Sequence, residues 1–264
     1  MDIQGINANA LRLMVFFAFL IGMSLLEALL PRRTRIAPRS QRWITNIGFA
    51  VVNSFALRFL VPIAAVGTAI WAKENGFGLF NNLDLHMAVI FGGTILLLDL
   101  ALYWQHVATH KVPLFWRFHK VHHADRDLDA SSGVRFHPVE ICVSMLYKIV
   151  IVAALGAPVL AVIIFEIILN ACALFNHANL RLPLWFDRVM RIIIVTPDYH
   201  RVHHSSIEAE TNSNYGFSLT LWDYLFKSYK AQPEAGHDGM TIGLSEHQNT
   251  KPQKLGWSML LPFK

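Results

Sequence analysis

Four apolar runs of membrane length decide what this chain can fold into. The hydrocarbon core of a bilayer is ~30 Å thick, and a helix crosses it in ~20 predominantly apolar residues. Leu11–Leu30 is one such run and Leu85–Tyr103 another. Ile44–Ala72 is too long for a straight span and carries Arg58 and Pro62 inside it. Val139–Phe175 is about twice one span in length. It has Gly156-Ala157-Pro158 at its middle, so it reads as a tight helical hairpin. Composition agrees: 54% of the 264 residues are hydrophobic and 16% charged, whereas soluble domains carry about a quarter charged residues. The expected fold is all-α, a multi-pass membrane helical bundle of about four to five spans including the hairpin.

The first residues carry Asp2 and no Lys or Arg before Arg12, and no small-x-small site precedes Pro31. That pattern predicts a retained first span rather than a signal peptide. The loop Pro31–Arg42 holds Arg32, Arg33, Arg35, Arg39 and Arg42 with no acid, while the loop around Lys73–Asp84 sets one Lys against Glu74 and Asp84. The positive-inside rule therefore places the arginine loop in the cytoplasm. Counted from there, the third span and the returning arm of the hairpin both end on that side. A formal charge of +5 suits anionic headgroups. Nucleic acid is not expected as a partner, because the basic residues are not interleaved with a soluble aromatic face. Cys142 and Cys172 lie in apolar segments and form no CxxC, so they read as core residues.

Against this apolar background stand three histidine clusters: His106-xxx-His110, His119-xx-His122-His123 and His200-xx-His203-His204. Spacing of three or four places two imidazoles on one helical face, and imidazole is the common transition-metal ligand. Five imidazoles in the segment 106–123 exceed what one ion takes from one segment, so a second metal or a shared site is implied. The nearly all-nitrogen donor set favours iron, zinc or copper over calcium or magnesium. A zinc-protease HExxH is excluded, because Val107 stands where its Glu would be.

The flanks extend the pattern. Asp99, Tyr103, His106 and His110 fall at i, i+4, i+7 and i+11, one helical stripe, and a carboxylate inside an apolar span is costly enough to suggest function. Asp99 is expected to orient a histidine through its second ring nitrogen. Glu166, Asn170 and His177 repeat the stripe on the second hairpin arm, making His177, and more weakly His137, candidates for the site. Pro197 fits the first turn of a short helix that Thr196 or Asp198 caps. The aromatic stretch Leu221–Tyr229 either lines a lipid site or lies in the interface. Residues after Lys230 read as surface connection, with His237 and His247 not expected as ligands, and His86 falls on the far side of the membrane.

Taken together, the three clusters resemble the histidine boxes of the fatty acid hydroxylase / sterol desaturase superfamily. So do Asp99-xxx-Tyr103, Phe136-His137-Pro138-Val139-Glu140, Asn176-His177-Ala178-Asn179, Thr196-Pro197-Asp198, Asn212-Ser213-Asn214-Tyr215-Gly216-Phe217 and Trp222-Asp223. The similarity covers roughly residues 90–230. It implies a catalytic region at 85–230, preceded by spans and the arginine loop at 1–84 and followed by a tail at 231–264. It also implies a cytoplasmic-facing helical cap that carries the boxes and a non-haem di-iron centre. Such a centre uses dioxygen and two electrons on a lipid C–H bond, hydroxylating or desaturating it. The implied iron ligands are His106, His110, His119, His122, His123, His200, His203 and His204, with His177 and His137 added. Asp99 and Tyr103 are the candidate catalytic residues. Some members carry a further histidine where this chain has Arg181. Electrons are expected from a separate cytochrome or ferredoxin with its reductase. Histidine sites also suit zinc, so a membrane zinc protein (hydrolase, metal binding or transport) stands as the alternative. The substrate class stays open among sterol, fatty acyl, sphingoid and related lipids.

Overall fold

Helix boundaries fall where the sequence supplies caps and breakers. The computed structural model describes residues 2–3 and 6–264, with side chains from residue 10 onward. Residues 1, 4 and 5, on which the reading of the N-terminus partly rests, lie outside the described residues. A short antiparallel ladder, Asp2–Ile3 with Ile6–Asn7, precedes α1 (Ala8–Leu29). The long run after the arginine loop breaks at Pro62. α2 (Arg39–Leu60) ends at Val61, which leaves the helical region as the ring of the following proline demands, and the chain restarts as α3 (Ala65–Glu74). Ten residues reach only ~15 Å, so α3 does not cross. His86 accepts the Ala88 N–H at the start of α4 (Met87–Lys111), and Pro113 opens α5 (Pro113–His123). His137 and Pro138 open α6 (Pro138–Leu155), and α7 (Val159–Asn176) follows the turn. The five segments containing α1, α2, α4, α6 and α7 are long and apolar enough to cross a membrane.

The hairpin turn is tight, but its arms are not paired closely with one another. α6 packs on α2 and α7 on α1, while α3 and α4 each contact both arms. Gly156 closes α6 in the left-handed region (φ 60°) and meets the Phe77–Asn81 loop so closely that a Cβ on Gly78 would lie 2.2 Å from the Gly156 nitrogen. Only glycine fits both sides of that contact. This seam fixes the end of the bundle opposite the histidines.

At the other end the chain builds a cap from α5 and a series of short helices. These are α8 (Leu184–Met190), α9 (Pro197–His203), α10 (Glu208–Thr211), α11 (Leu221–Leu225), α12 (Gly236–Gly239) and α13 (Leu255–Met259). The segment after Lys230 differs from the sequence expectation. Leu244 and Leu261 are buried with Phe49 of α2 and Val121 and Ala124 around α5, so this segment is part of the cap's core rather than a surface connection.

Candidate metal centre

Among the described residues, nine histidines form two clusters, in each of which one donor atom per residue lies within 4.8 Å of the others. His106, His110, His119, His123 and His203 make the first, and His122, His177, His200 and His204 the second. Helical spacing explains the sorting. His106/His110, His119/His123 and His200/His204 are i, i+4 pairs that share a face, and each pair enters one cluster whole. The middle histidine of each HxxHH points elsewhere: His122 leaves α5 for the second cluster, and His203 leaves α9 for the first. The two boxes therefore interleave, and neither cluster can form without both.

Backbone carbonyls fix the tautomers. A carbonyl only accepts, so the Nδ1–H of His106 donates to Tyr215 O (2.7 Å), that of His203 to Ser213 O (2.8 Å), that of His122 to Arg135 O (3.2 Å) and that of His177 to Ala173 O (2.8 Å). His119 Nδ1 instead lies 2.6 Å from Glu140 Oε1, one turn into α6. Each Nε2 then carries a lone pair aimed inward. The Nε2 atoms of His106, His119, His123 and His203 are buried without a partner. In the second cluster the Nε2 atoms of His122 and His177 face each other at 3.0 Å. Those of His177 and His200, and of His200 and His204, are 3.2 Å apart.

Two lone pairs at 3.0 Å repel unless a cation sits between them. Protonation is a poor remedy. Burial drives the imidazoles of His122, His123, His200 and His204 well below their usual range, and neighbouring histidines push them further. Burial takes His177 down to about 4 and His203 to about 3. A metal ion satisfies the geometry, since metal–imidazole bonds of ~2.0–2.1 Å place tetrahedral ligand nitrogens roughly 3.3 Å apart.

Beneath the histidines lies a buried ionic frame. Arg42 of α2 is fully buried, with Nε and Nη2 each 2.8 Å from an Asp125 oxygen, Nη1 2.6 Å from Asp129 and Nη2 2.7 Å from the Asp127 carbonyl. This pairing holds the Asp125 carboxyl well below the ordinary range despite its burial. Arg135 donates to Val121 O (2.9 Å), Asn46 Oδ1 (3.1 Å), Pro252 O (2.7 Å) and Ser258 Oγ (2.9 Å). Glu27 of α1 accepts from the N–H groups of Ala130 (2.7 Å) and Asn179 (2.9 Å), joining the turn after the second box to the segment after His177. All five membrane-crossing helices thus contribute to the site or its frame.

Comparison with known proteins now decides the lineage: the family model for fatty acid hydroxylases matches residues 91–228, just over half of the chain. The chain belongs to the fatty acid hydroxylase family. It is 25% identical to an ornithine lipid hydroxylase of Rhizobium tropici over 72% of this chain and 56% of that protein. It is also 25% identical to human alkylglycerol monooxygenase over 89% of this chain and 52% of that protein. A very-long-chain aldehyde decarbonylase of Oryza sativa subsp. indica is 25% identical over 72% of this chain and 29% of that one. The chain spans about half the length of the first two relatives. No solved structure gives a significant match.

Within this family member, several residues singled out in the sequence stand apart from the clusters. Asp99 accepts from Trp222 Nε1 (2.8 Å) and does not reach a histidine. The Tyr103 hydroxyl pairs with Ser228 Oγ (2.8 Å), and its ring stacks on Phe226. Both residues thereby pin segment 215–228 to α4, and Tyr215 in that segment supplies the carbonyl that holds His106. Their link to the histidines is indirect. His137 joins neither cluster: its Nδ1 accepts from Val139 N–H at the start of α6, and its Nε2 lies 3.3 Å from Met259 O. Glu166 is held by Lys148 (3.2 Å) and Arg12 (2.8 Å) between the spans, away from the histidines. His237, read as a surface residue, is buried with its Nε2 3.7 Å from Asp198, and burial lowers its pKa to about 4. Sequence reasoning missed Asp125, Asp127, Asp129 and Glu27, and it met Arg42 only as a loop arginine and Glu140 only as part of a motif. The alternating acids of His123-Ala124-Asp125-Arg126-Asp127-Leu128-Asp129 were the available signal.

Proposed function

We propose that this chain is a membrane-bound non-haem di-iron oxidoreductase that uses dioxygen and two electrons to hydroxylate or desaturate a lipid C–H bond. The observation that carries the reading is the pair of adjoining buried clusters, nine inward-facing imidazoles at one end of five apolar spans. Imidazole-rich sites suit iron, and family membership favours it over zinc. The relatives named for lipid hydroxylation and alkylglycerol oxidation support a lipid substrate.

On this reading His106, His110, His119, His123 and His203 hold one ion, and His122, His177, His200 and His204 the other. Bound iron supplies the activation of dioxygen, chemistry no side chain offers. The chain's own residues do the positioning. The carbonyls of Tyr215, Ser213, Arg135 and Ala173 hold four rings in the ligating tautomer, and Glu140 orients the His119 ring through its Nδ1. Arg42 and Arg135 hold the second box rigid from below. Asp99 and Tyr103 act as positioning residues through segment 215–228. The active site faces the cytoplasm, and a separate cytochrome or ferredoxin with its reductase delivers electrons.

Metal analysis of gently purified protein, with dioxygen consumption on addition of reductant and lipid extract, tests the proposal. The expected result is iron in both clusters and lipid-dependent oxygen uptake, with a lipid product heavier by one oxygen or lighter by two hydrogens. Stoichiometric zinc without iron-dependent turnover overturns it.

A further inference from the structure

One face of the cap is apolar where a cap in water would be polar. On α8 and the turn that follows, Trp185 is 69% exposed, Val189 60%, Ile192 65% and Ile193 63%. On α11, Leu225 is 59% exposed. The two elements form one surface, because the Thr220 N–H donates to Ile193 O (3.0 Å), Ile194 bridges to Leu219, and the Tyr224 hydroxyl donates to Arg191 O. A contiguous apolar patch of this kind marks an interaction site.

Three observations name the occupant. First, the patch is continuous with a lipid-facing helix: Phe226 packs against Trp104 of α4 at 4.8 Å between ring centroids, and Trp104 is itself exposed on that helix. Second, α11 lies beside α4 and not beyond its end. The 25 residues of α4 reach ~37 Å, more than the ~30 Å hydrocarbon core. Trp222 bonds Asp99, ~18 Å from the start of α4, and Phe226 packs on Trp104, ~26 Å from it. Both contacts fall within the core thickness. Third, the charges around the patch have one sign. Arg188 and Lys227 are exposed, while the acids of these segments, Asp187 and Asp223, are buried. Asp187 is taken by Arg191 and Thr196, and Asp223 by Tyr199 and Ser228.

We propose that α8, the Ile192–Ile193 turn and α11 are immersed in one leaflet of the bilayer. Acyl chains cover the apolar face, and anionic headgroups meet Arg188 and Lys227. The cap is then a partly sunken body whose immersed side includes part of segment 215–228, which positions His106 through the Tyr215 carbonyl. Under the proposed function, which this last consequence rests on, a lipid reaches the histidines laterally from that leaflet without leaving the membrane.

Spin labels placed singly at Val189, Ile193 and Leu225, with the exposed Asn249 as control, test the immersion in nanodiscs of mixed neutral and anionic phospholipid. The background carries Cys142→Ala and Cys172→Ala, and retained metal content reports an intact cap. Labels at 189, 193 and 225 are expected to collide with dissolved oxygen and to be shielded from a water-soluble nickel chelate, with the reverse at 249. Chelate access at the three positions overturns the proposal. So does shielding from both reagents, which identifies a second copy or another protein as the cover. If labelling disturbs the fold, the difference in quenching by brominated lipid between the unmodified chain and Trp185→Phe decides the same point. Neither readout needs turnover, so an inactive preparation leaves this result standing apart from the functional one.

Discussion

The two histidine clusters share both HxxHH boxes yet are built on different terms. The first draws two i, i+4 pairs and a single residue, and the carboxylate of Glu140 stands behind His119. The second has one pair and two single residues, its anchors are backbone carbonyls, and its Nε2 atoms already lie 3.0 to 3.2 Å apart. The first cluster offers five candidate donors and the second four. Losing one donor would still leave four imidazoles in the first cluster but only three in the second. The second cluster is therefore the more brittle, and the first the more tunable.

The largest test of that contrast removes a ligand from each. His204→Ala leaves three imidazoles in the second cluster and should cost one metal equivalent and more than ~100-fold in lipid turnover, exceeding the 10–100-fold typical of an outer partner. His110→Ala leaves four in the first and should keep its metal. Equal metal loss in the two variants, measured by elemental analysis alongside turnover, would remove the distinction.

Acid probes the same contrast in the metal-free protein. A histidine whose folded pKa lies below its free value near 6.5 takes up its proton on unfolding. Its contribution is complete above that pH and fades as pH falls towards the folded value, at ~1.4 kcal/mol per unit for each imidazole. His177 of the second cluster sits at about 4 and His203 of the first at about 3. The apo cap should weaken steadily below about pH 6.5, with protonation reaching His177 before His203. Asp125, held low by Arg42, keeps its contribution to far lower pH. Metal loading should move the acid transition down. A transition in thermal melts that ignores metal would contradict the clusters as binding sites.

Glu140→Gln addresses tunability. Replacing the carboxylate behind His119 keeps a hydrogen-bonding oxygen but removes its charge, and loss of such an outer partner lowers metal affinity by ~10–100-fold. Competition with a graded chelator should show the first cluster releasing metal earlier while the second is unchanged. Simultaneous weakening of both would show that Glu140 supports the whole cap instead.

How much of this could be read from the residues depends on distance along the chain. Spans follow from local hydropathy, and the i, i+4 pairs from local helix geometry, so both were legible. His177 was legible too, through its stripe on the hairpin arm. The interleaving of His122 and His203 was not, because it requires knowing that α5 and α9 face each other. Arg42 looked like one of five loop arginines, but its acids lie 83 and 87 residues away. The same holds for Asp99: its spacing aligned it with His106, yet Trp222, 123 residues on, takes its oxygen. Long-range partners reassign charged groups that local patterns can only nominate.

The smallest expected effect concerns His137, nominated by the same motif reasoning that nominated the clustered histidines. Its side chain caps α6 by accepting the Val139 N–H, and neither cluster includes it. Loss of a capping side chain costs ~1 kcal/mol, which sets the scale for His137→Ala. The variant should melt slightly lower and retain both metals in full. Because Pro138 already presets the first turn of α6, the helix should still form, and His119 should keep Glu140. A fall in metal content without a fall in melting temperature would place His137 in the metal centre and erase the division into five and four.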